Sequence, residues 1–236
     1  MFNKNQQPEF VDINKKSSGI WFTVVICTCI AFLMFVIIFT SVVGLVQINQ
    51  GSMMPTLNDN QFALLLNSPN RVRRGDVVTV RTPEHYRYPN RNPPINFFIK
   101  RVIATGGDTI KFRVIDNTVN INSELQPINE VIIYVKSYGS DEFILQEESH
   151  IIYEPMGNTD RFYSDINRYH THITKDNTFF FIYEVPLYHI YILGDNRNTS
   201  VDSKRYGSFH LDSVTGRMIT PLRQGGFWEW LFRVIY

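Results

Sequence analysis

The sequence predicts a mainly β protein carried on one N-terminal transmembrane helix. Two observations carry that expectation. No charged residue occurs between Lys16 and Asp59, and residues 20–43 are almost wholly apolar. Beyond residue 60 the apolar side chains recur mainly with a period of two, broken by turn signals such as Gly75-Asp76 and Gly106-Gly107-Asp108. That alternation is the mark of half-buried strands. At 236 residues, 44% hydrophobic and 14% aromatic, the chain can bury a sizeable core and suits one domain with a decorating subdomain. A formal net charge of +1 argues against a nucleic-acid partner.

Taken in order, residues 1–19 form a polar leader and residues 20–43 the span. About twenty residues at 1.5 Å rise cross a hydrocarbon core of about 30 Å. The run is longer than the apolar core of a cleavable signal peptide and lacks an Ala-x-Ala site, so it reads as an uncleaved anchor in the lipid bilayer. Lys4, Lys15 and Lys16 precede it, and no basic residue follows until Arg71. The positive-inside rule therefore keeps the N-terminus in the cytoplasm and sends the rest across. Cys27 and Cys29, the only cysteines, lie within this run; their directions differ too much for a mutual disulfide.

A first strand is expected where β-branched residues leave the helix, over 42–48. Arg71-Val72-Arg73-Arg74 reads as a solvated loop, or as a contact for anionic headgroups. Val77 to Val80 and Phe97 to Ala104 read as strands. Thr109 to Val114 follows the glycine turn, and Asp116-Asn117 reads as the turn of a hairpin into Thr118 to Asn122. Residues 123–181 read as an inserted β subdomain, with strands at Val131–Val135 and Phe143–Gln146. His170-x-His172 has no third ligand nearby and reads as a surface strand rather than a metal site. The core pattern resumes at Tyr188–Leu193. The tail from Phe227 to Tyr236 is too short to span; its Trp and Tyr residues suit either the membrane interface or a last core element.

Two residues stand out chemically. Ser52 lies in Gly51-Ser52-Met53-Met54-Pro55-Thr56-Leu57, and Lys100 lies in Phe97-Phe98-Ile99-Lys100-Arg101-Val102-Ile103. A serine is a poor nucleophile until a base takes its proton. A lysine of ordinary pKa is neutral in only about one molecule in 2,500 at pH 7. Burial among apolar side chains disfavours its charged form and can make it that base. Taken singly, Ser52 is an ordinary turn residue and Lys100 an ordinary strand lysine snorkelling to solvent. A third block changes the balance: Gly194-Asp195-Asn196-Arg197-Asn198-Thr199-Ser200-Val201-Asp202-Ser203.

In this order the three blocks resemble the type I signal peptidases, membrane-anchored Ser-Lys endopeptidases that remove signal peptides from exported preproteins. The resemblance covers most of the chain except residues 1–15, 123–181 and the tail. It implies a twisted antiparallel β catalytic domain over 44–122 and 182–226, on the outer face of a bacterial cytoplasmic membrane. It also implies Ser52 as nucleophile, Lys100 as general base, Ser200 as the hydroxyl orienting the lysine amine, and an Asp195–Arg101 ion pair beneath them. Asp202 is paired with either Lys204 or Arg205, because the sequence departs here from the family's Asp-Ser-Arg. Gln50 stands where many members carry a serine that binds the oxyanion; its amide N–H is a possible substitute donor. By position, Ile48, Met53, Leu57, Phe98, Ile99, Ile192 and Val201 line shallow subsites for substrate residues −1 and −3. No metal or cofactor is expected, and contact with the protein export machinery is. Three other readings compete: a self-cleaving repressor-type Ser-Lys domain, which carries no membrane anchor, a catalytically silent tethered binding protein, and a specialised peptidase serving one secretion system.

Overall fold

A computed structural model describes residues 13–67, 71–82, 97–121, 124–146, 169–175, 178–197 and 199–221. Expectations for residues 1–12, for 147–168 and for the tail after 221 lie outside the described residues. The chain divides into two units, residues 1–42 and residues 43–236.

The first unit is helix α1, Ile13–Val42. From Gly19 to Val42 it is long and apolar enough to cross a membrane, and all its side chains there are exposed. At 1.5 Å per residue those 24 residues extend about 36 Å, enough for the hydrocarbon core with some tilt. A helix that is apolar all round has no preferred face to bury against protein. Between Gly19 and Val42, threonine and serine hydroxyls bond to helix carbonyls. Thr23 Oγ1 donates to Gly19 O, Thr40 Oγ1 to Val36 O and Ser41 Oγ to Ile38 O at 2.7–3.0 Å, which removes the cost of unpaired hydroxyls in lipid.

The second unit is antiparallel β throughout its described ladders. The strands are β1 Val43–Gln47, β2 Phe62–Asn67, β3 Val77–Arg81, β4 Phe97–Thr105, β5 Thr109–Ile121, β6 Glu124–Lys136, β7 Ile144–Leu145, β8 Thr171–Lys175, β9 Thr178–Glu184, β10 His189–Leu193, β11 Phe209–His210 and β12 Val214–Pro221. They form a seven-stranded sheet, ordered β1-β2-β12-β3-β4-β10-β11, and a five-stranded sheet, ordered β7-β6-β5-β9-β8. β1 begins at the residue after α1, where the sequence placed a first strand.

One turn couples the sheets. β4 belongs to the first and β5 to the second, and Gly106-Gly107-Asp108 joins them. Gly107 has φ +89, a left-handed conformation that glycine adopts without strain. The Asp108 carboxylate accepts from Thr105 N at 2.9 Å and from Tyr138 N at 3.0 Å, tying three segments to one side chain. Between the sheets lies a core of Ile103, Tyr191 and Leu193 from the first, packed on Phe112, Ile133 and Phe181 from the second. All six are at most 2% exposed.

Two expectations change. β5 runs through Asp116 and Asn117 without turning and pairs with β6 along its whole length. Asp-Asn lacks the glycine of a strong hairpin turn, and the β-branched residues on either side extend the strand instead. His170 is not on a surface strand. It is 8% exposed, its Nε2 lies 2.8 Å from Tyr191 Oη, and its ring meets Phe112 edge-on at 5.5 Å. A polar tip paired inside an aromatic cluster allows that burial.

Candidate active site

The site forms where the turn after β1, strand β4 and the loop after β10 meet. After β1 the chain makes a tight turn over residues 50–57 before returning as β2. Ile48 N donates to Gln61 O at 2.8 Å and Asn60 N to Ile48 O at 2.7 Å, closing the base of the turn. Met53 and Leu57, 1% and 0% exposed, plug it into a cluster with Ile48, Ala63 and Val77. Ser52 is thereby held half-buried at the turn's tip.

β4 supplies the lysine. Strand alternation puts Phe98, Lys100 and Val102 on one face. Lys100 is only 3% exposed. Its Nζ donates to Ser52 Oγ at 2.8 Å and to Ile99 O at 3.0 Å, and lies 5.5 Å from the centre of the Phe98 ring. Burial pulls its pKa down from 10.5 to about 8; Asp202 opposes that shift, Lys204 adds to it, and Asp195 opposes it. A buried ammonium that loses its proton near neutrality can accept one from a hydroxyl 2.8 Å away.

The stretch after β10 locks the other two pieces together. Asn196 N donates to Ser52 O at 3.1 Å. Asp195, fully buried, receives Arg101 Nε at 2.9 Å and Nη2 at 2.6 Å, a bidentate pair, and Thr56 Oγ1 at 2.6 Å. Arg101 also donates from Nη1 to Gly75 O at 2.9 Å. One carboxylate thus joins the serine turn, the lysine strand and the third block. Asp202 caps the short helix α2, Ser203–Tyr206, accepting from Lys204 N at 3.1 Å and from Gly194 N at 3.1 Å. Its cation is Lys204, whose Nζ lies 3.5 Å from Asp202 Oδ2. Arg205 instead places its guanidinium 5.9 Å from the Tyr206 ring centre.

Ser200 is 4% exposed, and among the described residues its Oγ has no hydrogen-bond partner. The hydroxyl expected to hold the Lys100 amine is therefore beside the site but unbonded to it. It packs against Gly194: a Cβ there would collide with Ser200 Oγ and come within 2.5 Å of Ser52 O. Gln50 is exposed, with φ +86, and its backbone N donates to Asp59 Oδ1 at 2.6 Å. Ile48, Met53, Leu57 and Ile192, all 0–2% exposed, lie too deep to offer a peptide a surface in this conformation. Ile99 and Val201 are half-buried, and Phe98 is 6% exposed. Sequence reasoning missed Thr56, Gly194 and Asn196. Each sits inside a block already singled out, but its importance lies in a contact between blocks.

A lysine amine desolvated against a serine hydroxyl, braced by a buried ion pair, is the equipment of a serine hydrolase that uses no histidine. Residues 21–222 match the family model described as "Signal peptidase, peptidase S26", and the chain belongs to that family of serine peptidases. The signal peptidase I of Aquifex aeolicus (strain VF5) is 27% identical over 191 residues, covering 72% of this chain and 72% of its own length. Membership brings the family's general activity, removal of signal peptides from preproteins, and its association with membranes, which the apolar helix fits.

Proposed function

We propose that the protein cleaves preproteins by a Ser52–Lys100 dyad at the membrane surface. The observation that carries this reading is the 2.8 Å contact between Ser52 Oγ and an amine that is 3% exposed. In its neutral form Lys100 accepts the Ser52 proton as Oγ attacks the scissile carbonyl. The resulting ammonium gives that proton to the departing amine, leaving an acyl-enzyme on Ser52. Water then attacks the ester, losing a proton to Lys100, and Ser52 leaves with that proton. The Ser52 backbone N–H, which among the described residues donates to no acceptor, is one oxyanion donor, and the Gln50 amide is the candidate second. Ser200 accepts the remaining N–H of the amine, which would satisfy its buried hydroxyl.

Substrate residues −1 and −3 contact Ile99, Val201 and the edge of Phe98, with Ile48, Met53, Leu57 and Ile192 backing that wall. Overpacking such a wall costs about 1–3 kcal/mol, so small residues at −1, chiefly Ala, and small or modest aliphatic residues at −3 are preferred. The positive-inside flank places the N-terminus in the cytoplasm and the β unit on the outer face of a bacterial cytoplasmic membrane, where preproteins emerge from the export machinery. The test is to incubate the purified protein in detergent with a preprotein and map the new N-terminus. Cleavage after Ala at −1, absent in Ser52→Ala and Lys100→Ala, is expected; equal cleavage after Phe or Lys would refute the subsites.

A further inference from the structure

We propose that Asp59 is a positioning residue that clasps the entry to the nucleophile turn and so sets the geometry of the oxyanion side of the site. The inference rests on the reading of Ser52 as nucleophile. Gln50 precedes Ser52 by two residues and has φ +86, a conformation that costs a non-glycine residue with a long side chain and persists where surrounding contacts hold it. Such a contact is present. Gln50 N donates to Asp59 Oδ1 at 2.6 Å, a short bond to a carboxylate. Asp59 is itself oriented, because Asn60 Nδ2 donates to its Oδ2 at 3.0 Å.

The clasp is continuous with the bonds that close the turn. Asn60 N donates to Ile48 O at 2.7 Å, and Ile48 N to Gln61 O at 2.8 Å. Asn58 N donates to Gln61 Oε1 at 3.0 Å. The two ends of the turn are therefore joined at Ile48 by backbone bonds and at Gln50 by the Asp59 side chain. Beyond Gln50 the chain is held at Gly51, whose carbonyl accepts from Met54 N at 3.1 Å, and at Ser52, whose carbonyl accepts from Asn196 N at 3.1 Å. The peptides between these anchors carry the Gly51 and Ser52 N–H groups. Their direction is set by the Gln50 backbone at one end and by the Met54 and Asn196 bonds at the other. Asp59 touches neither the serine hydroxyl nor the lysine amine in this arrangement; it acts through the Gln50 backbone.

The test is a double-mutant cycle in the full-length enzyme with a preprotein substrate. Asp59→Ala should lower kcat by about ten- to a hundredfold, the cost of a misdirected group, while KM stays within about threefold because the subsite wall is untouched. Asp59→Asn keeps an acceptor oxygen and should retain most of the activity. Gln50→Gly adopts the left-handed conformation without strain, so adding Asp59→Ala in that background should change kcat by less than about twofold. A structural role alone would lower thermal stability equally in both backgrounds and show no such coupling. Wild-type kcat in Asp59→Ala, or an equal loss in both backgrounds, would overturn the proposal. Loss of all cleavage in Ser52→Ala, measured alongside, separates that result from failure of the nucleophile assignment.

Discussion

At Lys100 a side chain with an ordinary pKa of 10.5 is held at about 8, chiefly by burial. The sign of the linkage follows directly. The folded state disfavours the ammonium, so between about pH 8 and 10.5 the unfolded chain binds more protons and stability rises with pH. Below that window the full penalty applies, about 3 kcal/mol for a shift of this size. Lys100→Met should therefore raise the unfolding free energy at neutral pH by up to about 3 kcal/mol and flatten the rise above pH 8, as measured by denaturant unfolding at several pH values. Unchanged stability at pH 7 would mean that the amine is better solvated than its surroundings suggest. The pairing of Ser52 with Lys100 in space was legible in the sequence because each sits in an ordered motif. The burial of His170 was not, because it depends on Phe112, Tyr183 and Tyr191, which come from three other strands.

Among elements, the serine turn, β4 and the loop after β10 are separate in sequence and meet only through a few contacts. At Gly194 the loop after β10 passes close to the serine turn. A methyl group there would press on Ser200 Oγ and Ser52 O at once, with backbone on one side unable to yield cheaply. Gly194→Ala should cost about 1–3 kcal/mol in thermal or denaturant unfolding and lower kcat by about a hundredfold, a much larger effect on turnover than on stability. Equal activity in this variant would mean that the turn has room to shift without losing alignment. The individual strands β3, β4 and β10 could be read from their short apolar runs, with Gly75-Asp76 marking the turn before β3. Their neighbours could not. β12 inserts between β2 and β3, a pairing across more than a hundred residues that no local pattern encodes. The misplaced turn at Asp116-Asn117 has the opposite origin: a weak local signal lost to strand pairing along all of β5.

On the scale of the whole molecule, the division at Val42–Val43 separates a helix long and apolar enough to cross a membrane from a β unit with its own cores. The boundary was visible because the change from a continuous apolar run to alternating residues is a change of solvent as well as of structure. A fragment of residues 43–236 keeps β1, and with it the whole ladder to β2. It should fold cooperatively and cleave a preprotein in detergent, while failing to co-sediment with liposomes as firmly as the full chain. Failure of the fragment to unfold in a cooperative transition would show that α1 contributes to the fold of the β unit.

In the proposed mechanism a neutral Lys100 takes the proton of Ser52. The most direct measurement is the pH dependence of kcat/KM for preprotein cleavage, with Lys100→Arg as the companion variant. Wild type should rise through an apparent pKa near the value of about 8 that burial gives the lysine, then level off. Lys100→Arg should stay inactive across the range, because a guanidinium does not deprotonate there. A wild-type profile that is flat across that region, or substantial turnover by Lys100→Arg, would rule out Lys100 as the base.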